Sequence, residues 1–310
     1  MVKILKYCGI LGAIIAVYYR VMILLYQKNE AKRYVKKKIY DYEMYLDMQD
    51  PGISRTLLLF GRRELEHKLI LHKVLRPGMT VLDIGANIGY YAIMESQWVG
   101  PHGKIVAVEP SPNNIKLLQR NVDLNRCKNV QVFQGAISDR CETRDFYMAR
   151  SSNLNTFHNT GSGVHDLTGD TISVTTHTVE TIMHGIGKPD LLRMDVEGHE
   201  VEILAGMLPA IEQGRLNPMI IFETHITRYH EGHDMKSILT RIFNAGYRVK
   251  YLASNAESGT KRINAKGYRG SEKIKTDFVH RVIYENVKSE DAIDFICHIG
   301  GARTVLLERP

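Results

Sequence analysis

The stretch that decides the fold is residues 80–109, TVLDIGANIGYYAIMESQWVGPHGKIVAVE. Thr80 to Ile84 is a short apolar run with Asp83 near its end. Gly85-Ala86-Asn87-Ile88-Gly89 follows at once, so the chain turns tightly into a helix. Glycine at 85 permits positive φ, and Gly89 lets backbone or ligand come close. Lys104 to Val108 is a second strand that closes on Glu109. Strand, helix and strand make one crossover unit of an open parallel sheet, in which ligands sit at the carboxyl ends of the strands. Asp83 and Glu109 are therefore expected at one crevice.

Glu109 stands about 20 residues beyond the glycine turn, where an acid binds ribose hydroxyls. The turn itself is Gly-x-x-x-Gly, without the Gly-x-Gly-x-x-Gly that lets backbone hug a pyrophosphate, and an anionic Asp83 would repel phosphate. A ligand with a ribose and a cationic or zwitterionic end suits it better, which points to S-adenosylmethionine rather than a nicotinamide dinucleotide. DIGANIGYY followed by VEPSPNN resembles the first two motifs of the class I methyltransferases, and specifically those of the FkbM family. The resemblance implies a Rossmann-like, mostly parallel α/β sheet of seven strands with an antiparallel last strand and helices on both faces. It also implies donor contacts at Asp83 (the cationic end), Gly85, Ala86, Asn87, Gly89, Tyr90, Glu109 (the ribose), Pro110 and Ser111, with Gly135 and Ala136 beside the adenine.

A second dense region, DLLRMDVEGHE from Asp190 to Glu200, reads as a strand running into a helix. It resembles the family signature K-x-D-V-E-G-x-E, with Arg193 in place of the lysine. Asp195 and Glu197 then lie at the same sheet edge as Asp83 and Glu109. Pro218 to Glu223 is a further apolar strand, closed by Thr224 and His225. Asp195, Glu197, Glu223 and His225 are the catalytic candidates, the histidine because its reference pKa is about 6.5. Clustered carboxylates suit a hard cation, but no histidine spacing supports a transition metal, and no metal is expected. LLLFGRREL resembles an element found ahead of the core in the family. It makes Glu64 a candidate contact, with a surface acid in a helical first turn as the other reading. Residues 140–170 are poor in apolar periodicity and read as a long loop near the acceptor pocket, with His158, His165, Ser152 and Asn153 as weaker candidates.

The rest of the chain bounds the function. With 310 residues, 44% of them hydrophobic, it can bury one full core. The net charge of +7 is concentrated in one flank, where Lys28, Lys32, Arg33, Lys36, Lys37 and Lys38 face only Glu30. That distribution argues against a nucleic-acid surface. Four scattered cysteines imply neither a zinc site nor a disulfide framework. Tyr7 to Tyr26 is apolar apart from Arg20 and long enough for a bilayer of roughly 30 Å. With the basic flank, this predicts a membrane-anchoring helix, lipid contact through residues 4–38 and a cytoplasmic catalytic domain. The expected organisation is an anchor and flank at 1–38, a helical lead-in at 39–79, a methyltransferase domain at 80–285 and a tail at 286–310. The expected function is S-adenosylmethionine-dependent O-methylation of a hydroxyl on a glycan, lipid-linked glycan or similar small molecule. A nicotinamide oxidoreductase on the same sheet and a non-catalytic membrane-tethered module remain as alternatives.

Overall fold

The computed structural model describes residues 2–26, 29–158 and 166–310. Its main sheet has eight strands: β1 (Thr80–Ile84), β2 (Lys104–Glu109), β3 (Val130–Gln134), β4 (Leu191–Met194), β5 (Met219–Glu223), β6 (Arg248–Ser254), β7 (Ile283–Glu285) and β8 (Ala302–Glu308). Their order across the sheet is β7-β6-β8-β5-β4-β1-β2-β3. The run from β5 to β3 is parallel throughout. Strand β8 is antiparallel to both β5 and β6.

The central strands are near-continuous hydrophobic runs because both faces are covered. Leu82, Ile84, Val106, Val108, Leu192, Met194, Ile220 and Phe222 enter one core, and Val81, Ile105, Ala107, Leu191 and Ile221 enter the other. Helices α1 (Val2–Tyr26), α2 (Ile53–Phe60), α3 (Leu65–Val74), α4 (Tyr90–Val99) and α5 (Pro112–Leu124) cover the second face. Helices α6 (Val179–Met183), α7 (Glu200–Glu212), α8 (Met235–Asn244), α9 (Glu257–Ala265) and α10 (Ser289–Ile293) cover the first. Helix α5 shows how sequence sets such an element. Ser111 caps it, Pro112 occupies its first turn, and Leu117, Leu118 and Val122 form its buried stripe, each stabilising the fold by roughly 1.5–3 kcal/mol.

Three expectations are corrected. The sheet has eight strands rather than seven, and the antiparallel insertion is β8, in the segment read as a tail. The run from Phe278 to Tyr284 does not hold as one strand: Val279–Arg281 pairs in a hairpin with Ile274–Thr276, across a turn that holds Asp277 and Phe278 at φ of 46° and 65°, and only the short edge strand β7 joins the main sheet. Residues 140–170 are not a plain loop: Thr143–Ala149 pairs antiparallel with Leu167–His177, and Phe146 and Val174 pack inward.

A fourth correction concerns the amino terminus. No helix among the described residues is long and apolar enough to cross a membrane. Helix α1 is interrupted at Gly9, whose φ of 73° and ψ of −176° are not helical. The 17 residues beyond it cover about 25 Å at 1.5 Å per residue, short of a bilayer core. They lie on the domain, with Ala13, Ala16 and Ile23 buried and the Lys37 ammonium over the Tyr19 ring at 4.4 Å. The spanning helix and the lipid contact expected with it therefore lack support. Lys36, Lys37 and Lys38 belong to Tyr34–Ile39, a strand paired with Tyr42–Asp47.

Candidate active site

At the carboxyl edge of the sheet lies a crevice of about 490 Å³, its open mouth included. The ends of β1, β2 and β4 supply Gly85, Asn87, Glu109, Pro110, Asp195 and Glu197, and the segment after β3 supplies Gly135 and Ala136. Ile84, Val108, Ile137, Phe146 and Phe157 give it apolar walls. Gly85 is required where β1 turns past β4. Its φ is 76°, and a Cβ there would stand 2.2 Å from the Asp195 carbonyl oxygen.

Glu109 is 4% exposed, and its hydrogen bonds show which lone pairs are free. Oε1 accepts from Ser111 N at 2.9 Å and Asn114 Nδ2 at 3.1 Å, whereas Oε2 accepts only from Asn87 N, at 3.0 Å. A carboxylate oxygen takes two donors, so Oε2 has room for a ligand hydroxyl. Burial pushes Glu109 up to about 7, with the three donors opposing. Asn87 sits at φ 50°. Its Nδ2 donates to the Ser152 carbonyl at 3.1 Å, and its buried Oδ1 has no partner among the described residues. An orphaned acceptor beside a half-used carboxylate fits a ligand carrying hydroxyl or ammonium groups, as S-adenosylmethionine does.

Beyond Asp195 the site becomes a set of acids held by arginines. Ligand atoms of Glu64, Asp195 and Glu223 lie within 4.8 Å of one another, as do those of Asp195, Glu197 and His225. Glu64 caps α3 with φ 46° and is 3% exposed; it accepts from the Tyr91 hydroxyl at 2.9 Å and pairs with Arg63 and Arg303. Arg303 also pairs with Glu223. Burial alone would raise both acids, but Arg63 and Arg303 hold Glu64 well below the carboxylate range, and Arg303 lowers Glu223. Asp195 and Glu197 move the other way. Burial and then Glu223 push Asp195 up to about 8, and burial raises Glu197. The crevice thus contains carboxyls whose affinities for protons are driven apart, the pattern by which acid and base roles are assigned. Glu64 and Glu197, both at left-handed φ, carry backbone strain of about 1–3 kcal/mol each, which clusters at functional sites.

His225 is not a free base. Its Nδ1 faces Glu200 Oε1 at 2.9 Å, and its Nε2 lies 3.5 Å from both Glu197 and Glu223. Burial disfavours the charge, yet Glu200 and Glu197 hold the imidazolium well above its ordinary value. Asp83 points to the α4 face of the sheet, away from the crevice lining. Arg193 Nη1 donates to its Oδ1 at 2.7 Å, stacks its guanidinium on Tyr91 at 4.1 Å, and lies 3.5 Å from Asp195. The arginine that replaces the family lysine therefore ties β1 to β4. Arg193→Lys is expected to lower unfolding stability by about 1.5 kcal/mol, because a point charge cannot keep the fork and the stacking together. Urea melts at neutral pH check this, and an unchanged midpoint would remove Arg193 from the tie.

Of the other candidates, Ala86, Gly89, Tyr90 and Ser111 lie outside the crevice lining. Ala86 N–H donates to Val108 O, Gly89 packs against Leu118, the Tyr90 hydroxyl donates to Arg63 O, and Ser111 caps α5. Ser152 and Asn153 line the crevice, and the Ser152 carbonyl also accepts from Asn114. His165 lies outside the described residues. Sequence reasoning missed Phe146, Phe157, Asn114 and Arg303. The apolar run Phe146-Tyr147-Met148 signalled the first, and the second asparagine of VEPSPNN, three residues after the Ser111 cap, signalled Asn114.

The family model described as the methyltransferase FkbM domain matches residues 83–249, more than half of the chain. A protein-L-isoaspartate O-methyltransferase of Methanothrix thermoacetophila is 38% identical over 61 residues, 20% of this chain and 29% of that protein. An arsenite methyltransferase of Halobacterium salinarum is also 38% identical over 61 residues, 20% of this chain and 16% of that protein. The chain thus spans less than a third of the length of these curated relatives. A solved structure of a methyltransferase FkbM from Methylobacillus flagellatus is similar at 16% identity and a TM-score of 0.39, covering 75% of this chain and 54% of that one. The matched residues 83–249 run from the first crevice strand through Asp195, Glu197 and Glu223, and the chain belongs to the FkbM methyltransferase family, whose methyl donor is S-adenosylmethionine.

Proposed function

We propose that the protein transfers a methyl group from S-adenosylmethionine to a hydroxyl of a glycan, a lipid-linked glycan or a similar small molecule, with Asp195 as the base. The observation that carries this reading is one carboxyl, Asp195, pushed up to about 8 and lining the same crevice as the half-used carboxylate of Glu109. When bound, the donor supplies an electrophilic methyl on a sulfonium sulfur. Glu109 Oε2 and Asn87 Oδ1 would hold the ribose and the cationic end, and Gly135 and Ala136 would flank the adenine. Asp195 would take the proton from the acceptor hydroxyl as that oxygen receives the methyl group, the donor leaving as its neutral thioether. Glu197 orients the hydroxyl, and His225, kept cationic, fixes Glu197. Alignment supplies much of the rate, because the methyl group arrives already activated.

A groove beside the crevice supports a polar, ring-bearing acceptor. It shares Asn153 with the crevice and is lined by Thr56, Phe60, Glu64, Asp277, Phe278 and Arg303, with Phe60 and Phe278 edge to face at 4.9 Å. Aromatic faces flanked by hydrogen-bonding groups suit sugar rings. Transfer of a labelled methyl from the donor to an extracted glycan and lipid-linked glycan pool tests the reading. Label appearing only in protein, or in no fraction, would reject the acceptor class. Glu109→Ala is expected to weaken donor binding by about ten- to a hundred-fold, the loss of a charge-assisted hydrogen bond of roughly 1.5–3 kcal/mol. Calorimetry with S-adenosylmethionine checks it, and an unaltered dissociation constant in a cooperatively melting variant would withdraw the ribose assignment.

A further inference from the structure

We propose that His158, His199 and Glu202 form a binding site for a divalent transition-metal ion of the zinc class, with His233 braced against the carboxylate. The three residues come from different parts of the chain: His158 ends the described part of the insert before residue 166, His199 caps α7, and Glu202 follows on the first turn of that helix. Their ligand atoms lie within 4.8 Å of one another. His199 Nδ1 is 3.4 Å from His158 Nε2 and 3.3 Å from Glu202 Oε2, and His158 Nε2 is 3.8 Å from the same oxygen. Tetrahedral coordination with bonds of about 2.0–2.1 Å has edges of about 3.3–3.4 Å. The two separations from His199 match such edges, and the one between His158 and Glu202, at 3.8 Å, is longer.

The surrounding hydrogen bonds set the tautomer that a metal needs. The Ser138 hydroxyl donates its single proton to Asp139 Oδ1 at 3.0 Å, so at 3.1 Å it accepts from His199 Nε2–H and leaves Nδ1 with a bare lone pair. His233 Nδ1–H donates to the Arg228 carbonyl at 2.7 Å, and its Nε2 meets Glu202 Oε2 at 3.0 Å. Ligands oriented through their second ring nitrogen and a braced carboxylate are the outer shell of metal sites. The acids of the crevice differ, since Arg63, Arg303 and His225 already neutralise them. Two imidazoles and a carboxylate favour a zinc-class ion over magnesium or calcium. Three protein ligands leave room for a fourth, a water molecule.

The ion would pin the insert to α7. Phe157 packs against His199 with ring centres 4.6 Å apart and planes tilted by 39°, and it walls the crevice, so the metal would fix that wall. The inference does not depend on the acceptor or on the base. Full-length protein stripped with a chelator is titrated with zinc chloride by calorimetry and then assayed for bound metal. One zinc per chain and a raised melting temperature are expected. His158→Ala and Glu202→Gln should each weaken zinc binding by about 100-fold or more, while His102→Ala, an exposed histidine elsewhere, should leave it unchanged. Absence of stoichiometric zinc, or affinity unchanged in both variants, or an equal loss in His102→Ala, would overturn the site.

Discussion

A chain cut after residue 301 is expected not to fold. Strand β8 lies inside the sheet, with Ile220 to Glu223 of β5 paired to Leu307 to Thr304 on one side and β6 paired along its length on the other. Its removal detaches β6 and β7 from the parallel half and leaves two unpaired edges in the interior. Val305, Leu306 and Leu307 are fully buried, and at roughly 1.5–3 kcal/mol each their loss alone approaches the about 5–15 kcal/mol that holds a typical domain. Arg303 goes with them, leaving Glu64 and Glu223 buried without their common cation, which adds about 3–5 kcal/mol when one partner of a buried pair is removed. Circular dichroism and a thermal melt of the truncated chain check this. A cooperative transition near that of the full chain would show that β8 is dispensable.

That strand also marks where sequence reading stops. The first crossover unit was legible because its signals are local: an apolar run, a glycine turn, a capped helix and a second apolar run within thirty residues. Glu109 and Asp195 were placed at one crevice for the same reason, since each closes a strand whose neighbours the parallel order fixes. Strand β8 carries an apolar run, TVLL, but nothing local says that a seven-residue strand returns to the middle of the sheet. Its partners are some 50 and 80 residues distant, counted from residues 248–254 and 219–223. The histidine–carboxylate cluster failed to show for a like reason. His158, His199 and His233 have no metal-type spacing, and only the i to i+3 placement of His199 and Glu202 on one helix face is visible in the chain. Asp83 was misjudged as facing the ligand because a strand-end acid looks alike on either face. Alternation decides it, and Asp83 shares the face of Val81, where Arg193 arrives from β4. The apolar amino terminus was read by its hydropathy and its basic flank, and a single glycine with non-helical torsions changes its geometry.

Asp195→Asn is expected to lower turnover by about a hundred-fold or more while the donor's dissociation constant changes little. The substitution keeps the shape of the side chain and removes its capacity to accept a proton, and loss of a positioned general base costs about that much. A group acting only in the transition state lowers kcat and kcat/KM together. Two pH signatures accompany the loss. The base must be ionised, and burial with Glu223 pushes Asp195 up to about 8, so the wild-type rate should rise with pH and level off above about 8, whereas the residual rate of the variant should lack that step. Stability runs in the opposite sense. A carboxyl whose pKa is raised on folding contributes stability in full below its unfolded value of about 3.9, and that contribution is lost as pH rises to about 8. The variant, which cannot titrate there, should therefore gain stability relative to wild type across the same window. Labelled-methyl transfer and thermal melts at matched pH measure the two effects. A variant that transfers at the wild-type rate with the same pH step would move the proton to Glu197, the other raised carboxyl in the crevice. A lost rate with an unmoved stability profile would mean that Asp195 is already ionised near neutrality and acts by orienting the hydroxyl.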